Sequence, residues 1–333
     1  MVDGVTGRFT ILGAGVMGLA VATELASRGH AVALVDPALG PGGHGCSWWA
    51  GGMLAPFCEF ESAEEPVLRH GRAVIDWWES HTGGVTRNGT LVVALGRDRA
   101  ELDRFARRTE GFEVLGADRI AGLEPDLGDR FDRALFFAAE AHLDPRAAMA
   151  ALQSGLMARG IAVAAELPGD AGEVIDCRGL SARDILPDLR GVRGEMLVLR
   201  CPEVKLSRPV RLLHPRVPIY LVPRGDGVFM LGATMIESDR RGVVTARSVL
   251  ELLSAAYALN PAFGEAEILE LGADARPAFP DNLPRIGRAD GRLYANGLYR
   301  HGYLLAPSVA RQLADHIETG EKPEFWHETD DQR

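Results

Sequence analysis

The sequence has few of the residues that build disulfides, zinc sites, Schiff bases or membrane spans. Its 333 residues include four cysteines, with no Cys-x-x-Cys pair and no histidines at zinc spacing, which predicts reduced thiols and no bound metal. Only two lysines occur, which argues against a Schiff-base mechanism. The longest apolar run, 9–26, contains three glycines and Glu24, so the sequence predicts neither a signal peptide nor a membrane span and favours a cytoplasmic protein.

Acidic residues outnumber basic ones, 46 to 36. The net charge of −10 argues against a nucleic-acid partner. An anionic ligand must therefore be held by local donors, since the overall field repels it. The apolar and charged fractions, 47% and 25%, are ordinary for a globular protein of one large domain or two closely packed ones.

The first 36 residues read as a complete strand–helix–strand unit. An apolar strand at 9–12 runs into a glycine-rich turn, a helix follows to Gly29, and a second apolar strand at 31–35 ends at Asp36. In such a unit the first glycine permits the tight turn, the second lets backbone approach a pyrophosphate, and the third lets helix and strand pack closely. Asp36 is placed to accept hydrogen bonds from ribose hydroxyls. The turn predicts a dinucleotide site at Gly13, Ala14, Gly15, Val16, Met17 and Gly18.

After residue 36 the pattern of apolar and polar residues changes twice along the chain. Residues 40–52 are rich in glycine, which predicts a loop lying against a long cofactor, and 62–80 have helical spacing. Alternating strands follow, with Pro223–Gly227 predicted as a hairpin turn. The absence of further parallel strands after the first unit favours FAD over NAD. A helix over 146–160, apolar strands at 161–163, 173–177 and 292–295, and a helix over 307–318 read as a return to the first sheet.

These patterns predict an α/β plus α+β fold, with a Rossmann-like FAD-binding domain and an antiparallel-sheet substrate domain. The first domain is predicted to be discontinuous, comprising residues 1–84, 142–190 and 272–333. The second comprises 85–141 and 191–271.

Five segments together resemble the D-amino-acid oxidase superfamily of FAD-dependent oxidoreductases, and most closely its bacterial glycine oxidases of thiamine biosynthesis. They span nearly the whole chain, and the combination is specific although each piece alone is not. The segments are Gly13–Asp36, Cys46–Pro56, Tyr220–Arg224 with Gly232–Met235, Ala275–Pro277, and Leu298–Pro307.

The resemblance implies non-covalent FAD, since no cysteine follows Cys201. It implies that the segment around 45–53 wraps the flavin, that the strand near Val163 presents backbone to the adenine, and that the turn after Arg300 approaches the flavin pyrimidine edge. A helix N-terminus there would stabilise negative charge on the reduced flavin. Beyond the turn and Asp36, the implied cofactor residues are Cys46, Ser47, Gly51, Gly52, Met53, Val163, Arg276, Arg300, Gly302, Tyr303 and Leu304.

The resemblance also implies the substrate site and the reaction. Arg300 would clamp the substrate carboxylate, Tyr220 would add a hydroxyl, and Met53 and Met235 would line the pocket. The reaction would be hydride transfer from the substrate Cα to flavin N5, with dioxygen as final acceptor. The implied partners are a small amino acid, a thiazole synthase, and further copies of the chain in a homotetramer.

Several alternatives stay open at this level. Sarcosine or D-alanine could replace glycine, because Trp48-Trp49 departs from the small residues of some glycine oxidases. The chain could instead be a D-amino-acid dehydrogenase that uses another electron acceptor, a nicotinamide dehydrogenase, or a dinucleotide-binding module without catalysis. Adjacent side chains on an extended segment point in opposite directions, so His301 is interpreted as structural and not as a base beside Arg300.

Overall fold

The computed structural model describes residues 6–328. The first and last five positions, which the sequence assigns to the FAD-binding domain, lie outside the described residues. Within the described part, two large sheets and one small sheet form the frame of the molecule. The predicted α/β plus α+β class is confirmed.

The first large sheet has seven strands and is mainly parallel. The strand Arg8–Leu12 lies between Ala31–Val35 and Glu173–Asp176, parallel to both, as the strand–helix–strand pattern predicts. One pair, near the end of the chain, is antiparallel. The strands in spatial order are Trp326–His327, Arg285–Ala289, Arg292–Asn296, Glu173–Asp176, Arg8–Leu12, Ala31–Val35 and Val163–Ala164.

The second large sheet has nine strands and is mainly antiparallel. The predicted hairpin at 223–227 joins two of its strands, with Arg224 N–H donating to the Val228 carbonyl. Along its path the strands are Ile236–Glu237, Arg190–Arg200, Val228–Gly232, Ile219–Pro223, Val210–Leu213, Thr90–Ala94, Arg133–Phe137 and Glu113–Gly116, with Glu267–Ala278 paired to Arg190–Arg200 off this path.

A three-stranded antiparallel sheet joins Met53–Leu54 and Val85–Thr86 to the central strand Ala141–Leu143. This small sheet brings together segments from both sides of the expected boundaries at 84 and 141. The boundaries themselves stay a prediction. The α-helices of the described chain are Val16–Ser27, Pro56–Phe60, Glu65–Gly71, Ile75–Thr82, Arg99–Ala106, Ala117–Leu123, Pro145–Ala158, Ala246–Leu259 and Gly302–Thr319, and 3-10 turns span Cys46–Trp49, Gly96–Asp98, Pro125–Leu127, Gly179–Asp184 and Pro261–Glu265.

The single helix predicted over 62–80 is wrong in its continuity. The structure has two helices here, the first ending at Gly71 and the second beginning at Ile75. A Cβ on Gly71 would lie 2.8 Å from Leu304 Cδ1, so the first helix packs closely against the last helix of the chain at the point where it ends. The break is therefore tied to a contact that is distant in sequence.

The last helix begins at Gly302, five residues before the predicted start at Pro307. Pro307 lacks an N–H and so leaves the carbonyl of Tyr303 without its helical donor. The indole N–H of Trp78 donates to that carbonyl at 2.8 Å. A side chain from another helix thus satisfies the group that the proline frees. None of the helices in the described residues is long and apolar enough to cross a membrane.

Candidate functional site

A cavity of about 720 Å³ runs between the two large sheets. Leu12 and Val35, at the carboxyl ends of two parallel strands, form one end of its wall, and Tyr220 and Arg276 of the antiparallel sheet form another part. Ligands of open α/β sheets bind in this position, outside the carboxyl ends of the strands. The residues that line the cavity include both the predicted dinucleotide turn and the predicted substrate residues.

The glycine turn meets the steric demands that its sequence predicts. Gly13 has a φ of +95°, and a Cβ there would lie 2.8 Å from the Cys177 carbonyl oxygen. A Cβ on Gly18 would lie 1.8 Å from the Gly13 carbonyl oxygen, so any side chain at 18 would push helix and turn apart. Gly18 itself is not among the cavity-lining residues, whereas Gly13 and Gly15 are. The third glycine therefore acts through packing.

The helix Val16–Ser27 points its N-terminus into the cavity. Its N-cap, Gly15, carries no side-chain cap, and the first turn has no acidic residue, so the positive end of the helix dipole faces the ligand space. A Cβ on Gly15 would lie 3.3 Å from Ser47 Oγ, which marks a tight cradle. Asp36 Oδ2 accepts the Ala14 N–H at 2.8 Å, and Oδ1 accepts the Ala38 N–H. These groups fit a pyrophosphate and an adjoining ribose.

The glycine-rich segment is fixed against both cofactor-side helices. Ser47 Oγ accepts the Val16 N–H at 3.1 Å, and the Tyr303 hydroxyl donates to the Ser47 carbonyl at 3.0 Å. Arg224 donates to the Gly51 carbonyl at 2.8 Å. Cys46 also lines the cavity, and burial raises the pKa of its thiol to about 11, so it stays protonated. The segment is thus a wall of the cavity and not a linker.

The two adjacent tryptophans flank one arginine. The Arg146 guanidinium lies 4.5 Å from the Trp48 ring centre and 5.2 Å from that of Trp49, and it also pairs with Glu270 at 2.7 Å. Both rings line the cavity. They therefore serve as wall and as packing for the segment at once.

Among the predicted cofactor residues, Val163 lies away from the cavity. It pairs with Leu34 at the edge of the seven-stranded sheet, and its neighbour Ala164 accepts the Asp36 N–H. Gly302, Tyr303 and Leu304 do line the cavity, at the N-terminus of the last helix.

The predicted substrate residues meet at the other end of the cavity. Tyr220, Met53, Met235 and Arg300 all line it, and so does Arg276, which the sequence assigned to the cofactor. Burial raises the pKa of Tyr220, so its hydroxyl remains a hydrogen-bond donor at neutral pH. The Met235 side chain is 54% exposed, which places it at the mouth.

Arg300 is already engaged with protein groups. Its Nε lies 2.7 Å from Glu59 Oε2, and its terminal nitrogens contact Ser62 Oγ at 2.6 Å and the Met235 sulfur at 3.7 Å. Glu59 is also paired with Arg211, at 3.3 Å. Burial raises the pKa of Glu59, but the attraction of Arg300 and Arg211 outweighs it and holds the pKa near 2.

His301 completes this cluster. Its Nδ1 lies 3.4 Å from Glu59 Oε2, and the side chain is almost fully buried. Burial lowers the pKa of His301 to about 4, more than the nearby carboxylate raises it, so the ring is neutral at pH 7. The expectation that Arg300 and His301 point in opposite directions is wrong, because the segment is not extended here and both side chains reach Glu59 Oε2; the structural role of His301 stays a prediction.

Arg276 differs from Arg300 in its partners. Its Nη1 donates to the Thr234 carbonyl at 3.3 Å, and no carboxylate of residues 6–328 forms an ion pair with it. The guanidinium lies over Gly194, where a Cβ would come within 2.1 Å of Nη2. The other three arginines of the cavity wall are paired with carboxylates, Arg178 and Arg241 with aspartates and Arg211 with Glu59.

Sequence reasoning missed two residues of this end, Glu59 and Arg211. Glu59 lies on the short helix Pro56–Phe60, and Arg211 lies on the strand Val210–Leu213. Neither belongs to a motif that carries chemistry by its spacing. Only the fold brings them beside Arg300. The available signal was weak: Glu59 follows the Met-Leu-Ala-Pro segment by three residues.

Fold and cavity together define the class of protein, a dinucleotide-dependent oxidoreductase, and comparisons with known proteins give the family. The sequence model of the DAO family, described as FAD dependent oxidoreductase, matches residues 8–316. The chain therefore belongs to this family, and its cofactor is FAD. The groups that line the cavity fit that cofactor, because they offer a helix N-terminus that begins at a glycine, a glycine cradle and an acid at the end of the second strand.

Three relatives illustrate the likeness in sequence. A Rhizobium etli protein assigned as thiamine biosynthesis oxidoreductase ThiO is 58% identical over 94% of this chain and 97% of its own length. Glycine oxidase of Pseudomonas aeruginosa is 28% identical over 95% of this chain and 96% of its own. The bifunctional protein ThiO/ThiG of Nostoc sp. is 26% identical over 92% of this chain, which corresponds to 52% of that longer protein.

Two solved structures share the fold. Glycine oxidase from Geobacillus kaustophilus superposes with a TM-score of 0.79 at 24% identity, over 96% of each chain. Iminodiacetate oxidase from Chelativorans sp. BNC1 superposes with a TM-score of 0.78 at 25% identity, over 95% of this chain and 96% of the other. Both cover the antiparallel sheet as well as the nucleotide-binding sheet.

Proposed function

We propose that this FAD-dependent oxidoreductase oxidises the C–N bond of glycine and passes the electrons to dioxygen. The observation that carries the proposal is the unpaired Arg276 guanidinium, in the same cavity as the Tyr220 hydroxyl and the FAD cradle. A planar guanidinium with free donors forms a bidentate, directional contact with one carboxylate. The glycine oxidase relatives support glycine as the amino acid that brings this carboxylate.

We assign the carboxylate to Arg276 with Tyr220 in preference to Arg300. Arg300 forms an ion pair with Glu59 and its terminal nitrogens contact Ser62 and Met235, so a substrate would have to displace protein groups to use it. A substrate carboxylate could bind Arg276 without displacing a carboxylate of residues 6–328. Met53 and Met235 then bound the space left for a side chain, and larger substrates such as D-alanine or sarcosine would contact them.

The bound flavin supplies the two-electron chemistry. The protein orients the substrate so that its Cα–H faces the flavin and keeps the hydroxyl of Tyr220 as a donor. With FAD bound, the substrate would lose a hydride from Cα to the flavin and a proton from its amine, and water would convert the resulting imine to glyoxylate and ammonia. Dioxygen takes up the two electrons with two protons as hydrogen peroxide. No cysteine lies beyond position 201, which supports non-covalent FAD.

The biological setting belongs to the proposal as well. The ThiO relative and the fused ThiO/ThiG proteins support a role in thiamine thiazole synthesis, in which the imine is handed to a thiazole synthase. We propose that the nucleotide-binding segments 1–84, 142–190 and 272–333 hold FAD and that 85–141 and 191–271 cover the substrate. A homotetramer remains a prediction.

The test is a product assay in air with the FAD-loaded protein. Glycine should give hydrogen peroxide, glyoxylate and ammonia in equal amounts, and omission of glycine should abolish all three. Glyoxylate formed only with an added electron-accepting dye would contradict the oxidase and favour the dehydrogenase. No product under either condition, with FAD bound, would favour a binding module.

A further inference from the structure

Glu59 carries an ionised carboxylate into the substrate end of the cavity. The residue lines the cavity, and its side chain is 17% exposed. Oε2 faces Arg300 Nε at 2.7 Å and Oε1 faces Arg211 at 3.3 Å. These are the contacts that a bound carboxylate ligand would make with two arginines. Here the carboxylate belongs to the protein itself.

The backbone holds this carboxylate in place. The Cys58 N–H donates to Glu140 Oε1 at 2.8 Å, and the Glu59 N–H donates to the Ala55 carbonyl. Arg211 also donates to the Cys58 carbonyl, at 3.3 Å. The short helix is therefore tied at both its amide and its carbonyl groups, which fixes the backbone from which the Glu59 side chain reaches Arg211 and Arg300.

The charges at this end leave room for one substrate carboxylate. Arg211, Arg276, Arg300 and the carboxylate of Glu59 all line the cavity together with Tyr220. Glu59 pairs with Arg211 and Arg300, whereas Arg276 has no acidic partner in the described chain. A substrate with two carboxylates would find Arg276 for the first and the negative charge of Glu59 where the second should go.

We propose that Glu59 is a specificity-determining residue, a built-in counter-anion that occupies the position of a second substrate carboxylate and restricts the site to amino acids with one. The proposal rests on the proposed function only for the identity of the reaction. Removal of Glu59 should open a carboxylate-sized space lined by Arg211 and Arg300, both then unpaired. A dicarboxylate of the iminodiacetate type, with the second carboxylate beyond the amine, has the chemistry to fill that space.

Binding is tested first, with ligands that cannot be oxidised. Methoxyacetate and oxydiacetate carry one and two carboxylates on an ether oxygen, and calorimetry on the FAD-loaded protein gives their Kd values. The wild type should bind oxydiacetate at least tenfold more weakly than methoxyacetate. Glu59→Ala should reverse that order, and Glu59→Gln, which keeps the volume and removes the charge, should narrow the ratio at least fivefold.

A matched control comes from the same stretch of chain. Glu61 pairs with Arg104 and Arg108 and does not line the cavity, so Glu61→Ala should leave the ratio of the two Kd values unchanged. An unchanged ratio in both Glu59 variants, or an equal change in Glu61→Ala, would overturn the proposal. If Glu59→Ala does not fold, Glu59→Gln still decides.

Turnover gives the second readout. The rate of anaerobic flavin reduction by iminodiacetate, relative to the rate with glycine, should rise at least tenfold in Glu59→Ala. Millimolar formate should refill the vacated space and so partly return this ratio to its wild-type value. If the ratio of the two Kd values shifts in the Glu59 variants but glycine does not reduce the flavin of the wild type, the proposed function is contradicted and the role of Glu59 in specificity is upheld. If glycine reduces the wild-type flavin but the ratio of the Kd values shifts in neither Glu59 variant, the proposed function is upheld and the role of Glu59 is contradicted.

Discussion

At the scale of single residues, chemistry is decided by partners more than by residue type. Arg276 and Arg300 have the same side chain and line the same cavity, yet within residues 6–328 only Arg300 is paired with a carboxylate. The glycine turn and Asp36 belong to one short unit of sequence, and they lie together, with the Ala14 N–H donating to Asp36 Oδ2. The sequence could not predict the Glu59–Arg300 pair, since 241 residues of chain separate the two and no motif joins them.

Replacement of Arg276 by lysine tests the assignment of the carboxylate. A lysine keeps the charge but loses the bidentate geometry, and one charge-assisted hydrogen bond contributes about 1.5–3 kcal/mol. Arg276→Lys should therefore raise the KM for glycine roughly a hundredfold with FAD retained. Steady-state kinetics measure the change, and Arg104→Lys, on an exposed helix, is the control. A larger loss in Arg300→Lys than in Arg276→Lys would return the carboxylate to Arg300.

Glu140 gives the molecule a pH dependence that one substitution should remove. Burial raises the pKa of Glu140 to about 7 from an ordinary value of 4.5. Because the folded state holds the proton more tightly, this stabilisation is complete below pH 4.5 and is lost as the pH rises through 7. The pKa difference corresponds to at most about 3 kcal/mol.

Glu140→Gln should therefore gain stability relative to the wild type between pH 5 and pH 8, because Oε1 can still accept the Cys58 N–H. Urea unfolding at the two pH values measures the difference in the free energy of unfolding. Glu113→Gln, on an exposed strand position, should show no such trend. A constant difference between Glu140→Gln and the wild type across this range would rule the argument out.

At the scale of elements, local patterns were sufficient where the structure is local. The first strand, helix and strand follow the pattern closely because their apolar periods, glycines and ending acid all lie within 36 residues. The break after Gly71 and the early start of the last helix were not predictable in this way. The first depends on Leu304 and the second on Trp78, both contributed by distant segments.

Two glycines in helices allow a direct comparison of close packing with open space. A Cβ on Gly18 would lie 1.8 Å from the Gly13 carbonyl oxygen, whereas nothing lies within 4 Å of a Cβ on Gly155. Gly18→Ala should prevent FAD binding or folding. Gly155→Ala, in the exposed part of its helix, should raise stability by about 0.5–1 kcal/mol. Thermal unfolding and flavin content check both, and normal flavin content in Gly18→Ala would contradict the close-packing argument.

At the scale of the whole molecule, the fold was predicted from the order in which different strand patterns follow one another along the sequence. Parallel strands came first, alternating strands followed, and apolar strands returned near 173 and 292, which is how the two large sheets are built. The sequence did not reveal that the two sheets enclose one continuous cavity. That arrangement joins an FAD cradle to an arginine-rich end, and it is the basis for the proposed reaction.

Glycine oxidation at this site is tested most directly by the visible spectrum of the FAD-loaded protein during addition of glycine in the absence of oxygen. The protein should be yellow, and its flavin bands should bleach in proportion to the bound flavin and return when air is admitted, with release of hydrogen peroxide. Flavin bands that stay unchanged at saturating glycine would contradict the proposal that this site oxidises glycine.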